Sequence, residues 1–293
     1  MKNQVIRTII NNTFLPNYCA IYDYFKENNL DYDGESKIDG GFTLNYNCSD
    51  TKETFEKNLK TQPEDWYYRT HPVKYTLNSS GYRTKEFDDI DWKESIVIFG
   101  CSHTFGTGIT DEHTIPYFLE QLSGRPVINM GIAGSSIQTS LHNSIILADS
   151  EYPTPKAVVY LWTALNRFQT YQENYVEING DWNKKETKGQ KFQNLSNLIP
   201  FNLMNIKMIR NLWKNKTIYR EIGKFTDGEE LIMQLDSKFN LKYPQSLIIM
   251  NKNSELEFLE NDDVYKARDV GHSGIKYSKK IAELLFENIK DQI

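Results

Sequence analysis

The spacing of apolar residues changes near position 95. There Ile96-Val97-Ile98-Phe99 form an unbroken apolar run of strand length, closed by Gly100, as expected of a strand buried on both faces. Ile115, Phe118, Leu119 and Leu122 follow at i, i+3, i+4 and i+7, one face of a helix. Thr114 stands where an N-cap belongs, Pro116 falls in the first turn, and Gly124 can end the helix. The unit then recurs. Residues 126–129 form a short strand, 131–136 a glycine- and serine-rich turn, and Ile137, Leu141, Ile145 and Ala148 return at helical spacing. Residues 156–161 read as a third strand, 201–213 as helical material and 246–250 as a candidate last strand. Tyr277, Ile281, Leu284, Leu285 and Ile289 share a face of a C-terminal helix. Strands alternating with helices of this length predict right-handed crossovers and a mainly parallel sheet. The expected fold is α/β: a three-layer α/β/α sandwich, flavodoxin-like in general order.

Two stretches stand outside this alternation. Residues 1–90 are aromatic and polar with weak periodicity, a turn at Gly40-Gly41, and a short buried strand or helix end at Trp66-Tyr67-Tyr68-Arg69. They read as an N-terminal α+β extension or cap on a domain covering 91–293, with docking to a larger assembly as the sharper alternative. Residues 171–199 are polar, with Asn179-Gly180 as a hairpin turn, and read as an insertion over one edge.

Composition narrows the class. Of 293 residues, 39% are hydrophobic and 25% charged, and 18 Tyr, 15 Phe and 5 Trp supply core material, against a disordered chain. The net charge of −5 argues against a general nucleic-acid binder. No run approaches the ~20 apolar residues of a spanning helix, and the N-terminus lacks the apolar region of a secretion signal. A cytoplasmic or virion-associated protein is expected. Cys19, Cys48 and Cys101 show no C-x-x-C or zinc spacing, and are read as reduced thiols.

In a parallel sheet, sites form beyond the carboxyl ends of the strands. Three turns there are unusual: Gly100-Cys101-Ser102-His103-Thr104-Phe105-Gly106, Asn129-Met130-Gly131-Ile132-Ala133-Gly134, and Trp162-Thr163-Ala164-Leu165-Asn166-Arg167. Asp269-Val270-Gly271-His272 precedes the last helix. The elbow G-x-S-x-G, the phosphate loop and G-x-G-x-x-G are all absent. The four segments together resemble the blocks of the SGNH (GDSL-type) hydrolase superfamily, over residues 95–293. Ser102 with Gly106 matches block one, Asn129 with Gly134 block two, Asn166 block three, and Asp269 with His272 the D-x-x-H block. Two positions depart from the pattern: Cys101 stands where aspartate is usual, and Leu165-Asn166-Arg167 replaces glycine-asparagine-aspartate, which leaves Arg167 as the alternative functional residue of that turn.

The resemblance implies metal-independent ester hydrolysis with no cofactor. Ser102 is the nucleophile, His272 the base, and Asp269 the group that orients the imidazole. The Ser102 and Gly134 N–H groups and the Asn166 amide form the oxyanion hole. A histidine suits the role because its ordinary pKa, ~6.5, lies near neutrality. An O-acetylated carbohydrate is the expected substrate, with an O-acyltransferase or a non-catalytic binding protein, such as a phage virion component, as alternatives. His103 reads as structural or substrate-facing, His71, His113 and His142 as surface or packing residues, and the Lys184-Lys185 and Lys279-Lys280 pairs as solvated.

Overall fold

Alternate residues of the first long strand go to opposite faces, and each face meets helices. In a computed structural model, residues 13–32, 38–165, 167–171, 176–179, 195–223, 247–249 and 266–293 are described, with backbone alone for 168–171, 176–179, 195–200 and 247–249. Strands β1 (Phe42–Leu44) and β2 (Tyr75–Leu77) pair antiparallel. Strands β3 (Ile96–Gly100), β4 (Val127–Gly131), β5 (Ala157–Leu161), β8 (Ile218–Gly223) and β9 (Leu247–Ile249) form a parallel sheet in the order β4-β3-β5-β8-β9. In terms of these five strands alone, that is the flavodoxin-like order 2-1-3-4-5.

Helices α1 (Tyr18–Glu27), α2 (Lys52–Thr61), α3 (Ser102–Phe105), α4 (Ile115–Ser123), α5 (Ile137–Asp149), α6 (Leu195–Trp213) and α7 (Ile275–Ile289) complete the described elements. Val97, Phe99, Val158 and Tyr160 pack with Ile137, Leu147, Ile206 and Trp213, so α5 and α6 cover one face of the sheet. Ile96, Ile98, Ala157 and Val159 pack with Ile115, Leu119, Tyr277, Ile281 and Leu285, so α4 and α7 cover the other. Three layers result. Fully burying each Val, Leu or Ile of this core contributes roughly 1.5–3 kcal/mol.

Local signals act as the sequence predicts at α4: the Thr114 hydroxyl accepts from the Tyr117 N–H at 3.3 Å, and Gly124 closes the helix with φ 66°. Helix α5 differs. Ile145 is exposed, and the helix buries Ile137, Ser140, Ser144 and Leu147 instead. The Ser144 hydroxyl hydrogen-bonds Tyr160 Oη at 2.6 Å, and Trp213 Nε1 donates to the same oxygen at 2.6 Å. A buried polar ladder thus sets the facing of this helix. Strands β6 (Phe168–Tyr171) and β7 (Val176–Asn179) form a hairpin in which Phe168 pairs with Asn179. Asn179 therefore lies at the open end of the hairpin, not at its turn, and Gly180 and 180–194 lie outside the described residues.

Residues before β3 pack directly on the sandwich. Ala20, Phe25, Leu44, Trp66 and Tyr75 share one cluster with Phe105, Ile109, Ala133 and Ala267. Arg83 reaches from this segment into the loop that follows Ser102. Its guanidinium donates to the carbonyls of Phe105 at 3.1 Å, Gly106 at 2.7 Å and Ile109 at 3.1 Å, and pairs with Asp111. The expectation of three reduced thiols is corrected. Cys19, at the start of α1, and Cys48, in the turn after β1, are joined in a disulfide with Cα atoms 6.3 Å apart, leaving Cys101 free and buried. Spacing alone hid the pair, because 29 positions separate the two. Closing a loop of that length stabilises by about 3–4 kcal/mol in the chain-entropy account. No described helix is long and apolar enough to cross a membrane.

Candidate active site

The turns singled out in the sequence converge at the carboxyl edge of the sheet. The chain runs outward from β3 to β4 and then returns past β3 to β5, and ligand sites favour such a reversal. Gly100 and Gly131 are register partners at that edge, with Leu161 on the other side of Gly100. Ser102 opens the single-turn helix α3, which ends when Gly106 takes φ 85° and its N–H bonds the Ser102 carbonyl at 2.8 Å. The turn after β4 is tied to the same place: the Ile132 N–H and the Ser135 hydroxyl both donate to the Gly100 carbonyl at 3.1 Å. Within that turn Gly134 has φ 74°, and a Cβ there would stand in open space. The left-handed backbone, rather than crowding, is what calls for glycine. Among the described residues, neither the Ser102 N–H nor the Gly134 N–H donates to a backbone acceptor.

Asp269 and His272 meet as the sequence predicts. His272 Nδ1 lies 2.6 Å from Asp269 Oδ2, and the backbone N–H groups of Gly271 and His272 donate to Oδ1 at 3.1 Å each. Val270, between them, adopts φ 58°, a left-handed conformation that strains a β-branched residue by about 1–3 kcal/mol. The tight loop is held by the Ala267 N–H to the His272 carbonyl at 2.9 Å and the Arg268 N–H to the Gly108 carbonyl at 2.9 Å.

The sequence reading missed what holds this loop from outside. The Ser49 hydroxyl donates to Asp269 Oδ2 at 2.8 Å. Next to it, Asp50 accepts from Arg268 Nη2 at 2.7 Å and from Tyr75 Oη at 2.5 Å, all buried. Asp50 and Arg268 stand 218 positions apart, with no periodic pattern to join them; a buried Asp-Arg pair is visible only in three dimensions. Burial pushes the Asp269 carboxyl up, but His272 beside it, the Ser49 hydroxyl and the backbone donor outweigh burial and hold it below the ordinary range.

Ser102, Gly134 and His272 line one cavity of about 440 Å³, with Thr107, Ile132, Ala133, Thr139 and Arg167. Residues 15–19, Cys48 and Ser49 complete its wall, so part of the N-terminal segment encloses the site. Ser102 Oγ lies 3.8 Å from Cys101 Sγ, and no hydrogen bond joins it to His272; catalytic contacts of this kind often tighten only when substrate binds. Asn166, the sequence candidate for the third oxyanion donor, lies outside the described residues. Asn129 is buried and supports the turn after β4, its Oδ1 accepting from the Gly131 N–H at 3.0 Å. For a metal, Cys19, Asp23 and Cys48 bring three ligand-type atoms together, but the two sulfurs are spent in the disulfide and Asp23 accepts the Cys48 N–H at 2.9 Å.

His103 packs its ring against His272 and Tyr277, centroids 5.4 and 5.7 Å away, and its Nδ1 is shut from solvent without a partner. Burial first, then the neighbouring His272 and Arg167, lowers its pKa from 6.5 to about 3. Between those two values an unfolded chain binds a proton that the folded chain refuses. Stability is therefore flat in this group above pH 6.5 and falls by up to ~1.4 kcal/mol per pH unit as pH drops from 6.5 toward 3. Urea midpoints of wild type and His103→Gln, taken at pH 7 and pH 5, should show a shallower acid loss in the variant. Equal losses would place the acid sensitivity in another group.

No family model and no curated protein matches the sequence. Solved structures similar to the chain include a protein described as a GDSL-like lipase from Bacteroides ovatus ATCC 8483, at 14% identity over 69% of this chain and 54% of that one, TM-score 0.41. A lipolytic protein of the G-D-S-L family from Desulfitobacterium hafniense DCB-2 aligns at 16% identity over 67% and 99%, TM-score 0.40. The salicylyl-acyltransferase SsfX3 of a tetracycline biosynthetic pathway aligns at 12% over 71% and 57%, TM-score 0.40. The chain spans about half the length of the first of these. The segments of Ser102, Gly134 and Asp269–His272 meet at the carboxyl edge of a flavodoxin-like sheet, and the order of the four segments along the sequence resembles that of the SGNH (GDSL-type) hydrolases.

Proposed function

We propose that the chain is a serine hydrolase that cleaves a carboxylic ester, in first place an O-acetyl group on a carbohydrate, through an acyl-serine intermediate. The supporting observation is the Asp269–His272 pair at 2.6 Å, whose histidine lines the same cavity as Ser102. Ser102 Oγ attacks the carbonyl carbon while its proton passes to His272 Nε2, and the carbonyl electron pair moves onto oxygen. The Ser102 and Gly134 N–H groups donate to that oxyanion, each such donor being worth ~2.7–4 kcal/mol in the transition state. Asn166 is the third donor proposed from its place in the sequence. Collapse restores the carbonyl, breaks the bond to the alcohol oxygen and returns the proton to it from His272. Water then loses a proton to His272 as it attacks the acyl-serine, and the Ser102 oxygen leaves with that proton. Asp269 stays ionised throughout and stabilises the imidazolium. No cofactor enters this scheme.

In water alone, the protein is expected to release free acetate from an O-acetylated glycan. Transfer of the acetyl group to an added sugar, with little free acetate, would move the reading to an O-acyltransferase. No turnover and no labelling by a fluorophosphonate would favour a binding protein of the virion-component type, with residues 1–90 as the docking segment. The Cys19–Cys48 disulfide fits an oxidising setting better than a reducing cytoplasm, so a virion-borne or extracellular protein is the proposed location.

A further inference from the structure

Among the described residues, the arginine side chains are satisfied with one exception. Arg69, Arg83, Arg125, Arg210, Arg220 and Arg268 each donate side-chain hydrogen bonds to a carboxylate or carbonyl of the chain. Arg167 does not. It lines the cavity beside Ser102, Gly134 and His272, and its Nη1 is shut from solvent with no acceptor. Leaving a guanidinium nitrogen dry and unpaired costs free energy. No aspartate or glutamate is among the described residues lining the cavity to offset it. The oxygens of Asp269, the partner of His272, are already taken by His272, Ser49 and two backbone N–H groups.

The backbone of the arginine is held in place. Its N–H bonds the Ala164 carbonyl at 3.2 Å, and its carbonyl accepts from Asn202 Nδ2 of α6 at 2.9 Å, which also holds the Leu165 carbonyl at 2.7 Å. Two further wall residues carry buried polar atoms without partners, Asn17 Nδ2 and Thr107 Oγ1. The cavity thus offers a cation, an amide donor and a hydroxyl, a set that matches an oxygen-rich ligand bearing negative charge.

Taking the ester-hydrolase reading as its base, we infer that Arg167 recognises an anionic group on the substrate, and that the substrate is an O-acetylated acidic carbohydrate. The acetyl group carries no charge, so the anion belongs to the sugar: a carboxylate, or a sulfate or phosphate in its place. Arg167 is then a specificity residue rather than part of the oxyanion hole.

The test compares kcat/KM for a mono-O-acetylated methyl glucuronide with that for the same acetylated methyl glucoside, in wild type, Arg167→Met and Arg167→Lys. Wild type should favour the uronate, and Arg167→Met should reduce that ratio by ~10–100-fold, the span of a charge-assisted contact. Arg167→Lys should keep part of the preference. Equal turnover of both esters by wild type would overturn the inference, as would an equal fall for both in Arg167→Met, the mark of an oxyanion donor. A sulfated or phosphorylated acetyl-glucoside preferred over the uronate, with the same dependence on Arg167, would keep the anion site and change the anion. Calorimetry of the unacetylated glucuronide and glucoside with Ser102→Ala separates the two layers. Selective glucuronide binding without any turnover by wild type would remove the esterase and keep the anion site; turnover without charge selectivity would do the reverse.

Discussion

Ser102→Ala is expected to abolish labelling by a fluorophosphonate and to lower ester turnover by ~10⁴-fold or more, the scale seen when the nucleophile of a serine triad is deleted. The size follows from the chemistry. Without the hydroxyl there is no acyl-enzyme, and the remaining donors can only assist direct attack by water. The change removes one oxygen at a buried position where, among the described residues, the hydroxyl's polar contact is to Cys101 Sγ at 3.8 Å. It leaves intact the backbone bonds that build the turn, from the Gly106 and Thr107 N–H groups to the Ser102 carbonyl. A melting temperature close to that of wild type should accompany the loss. Labelling that persists in Ser102→Ala would shift the nucleophile elsewhere, with the neighbouring Cys101 thiol first in line; a Cys101→Ala control resolves that case.

The parts of this molecule that could be read from the sequence are those where one residue type has one local job. Ile96-Val97-Ile98-Phe99 reads as a central strand because both its faces are apolar. Thr114 and Gly124 mark the ends of α4 because capping geometry is local. The Asp269–His272 contact is legible for the same reason: three positions span it. Strand β8 has no apolar signature. Ile218-Tyr219-Arg220-Glu221-Ile222-Gly223 carries two charges, and Glu221 is nonetheless fully buried, because Trp162 Nε1 at 2.7 Å and Arg210 at 2.9 Å meet its carboxylate from other elements. The phase of α5 is hidden likewise, since Ser140 and Ser144 are buried through their hydrogen bonds rather than through apolar character. The second half of the cavity wall, with Ser49, Asn17 and the disulfide, comes from a segment whose relation to the sandwich has no sequence period at all. Hydrophobic patterning reports burial by transfer free energy; it is silent about polar groups buried in pairs.

Asp269→Asn is the second large effect, expected to lower turnover by ~10⁴-fold while leaving the cavity nearly unchanged in shape. In the wild type the carboxylate accepts from His272 Nδ1 at 2.6 Å, so the proton on that ring sits at Nδ1 and Nε2 is free to take the proton of Ser102. The Ser49 hydroxyl at 2.8 Å and the backbone N–H groups of Gly271 and His272 occupy the other acceptor positions. An asparagine placed there keeps its single oxygen for the backbone donors and turns its NH₂ toward the imidazole. His272 Nδ1 must then accept, the ring proton moves to Nε2, and the base toward Ser102 is lost. Fluorophosphonate labelling should slow by a similar factor, because phosphonylation needs the same proton transfer. Ser49→Ala removes only one of the four donors and should cost about tenfold or less, consistent with ~1.5–3 kcal/mol for a hydrogen bond to a charged group diluted over a site that keeps three others. The stability readout has a defined sign. Asp269 is held below its ordinary 3.8 in the fold, so its contribution is complete above that pH and is lost only as acid protonates the folded carboxylate, in a window below 3.8. Asp269→Asn should therefore be less stable than wild type at neutral pH, with the difference shrinking below pH 3.8. A variant that loses stability but retains turnover would show Asp269 to be a fold-holding residue of the last loop and would take it out of the role of orienting the base.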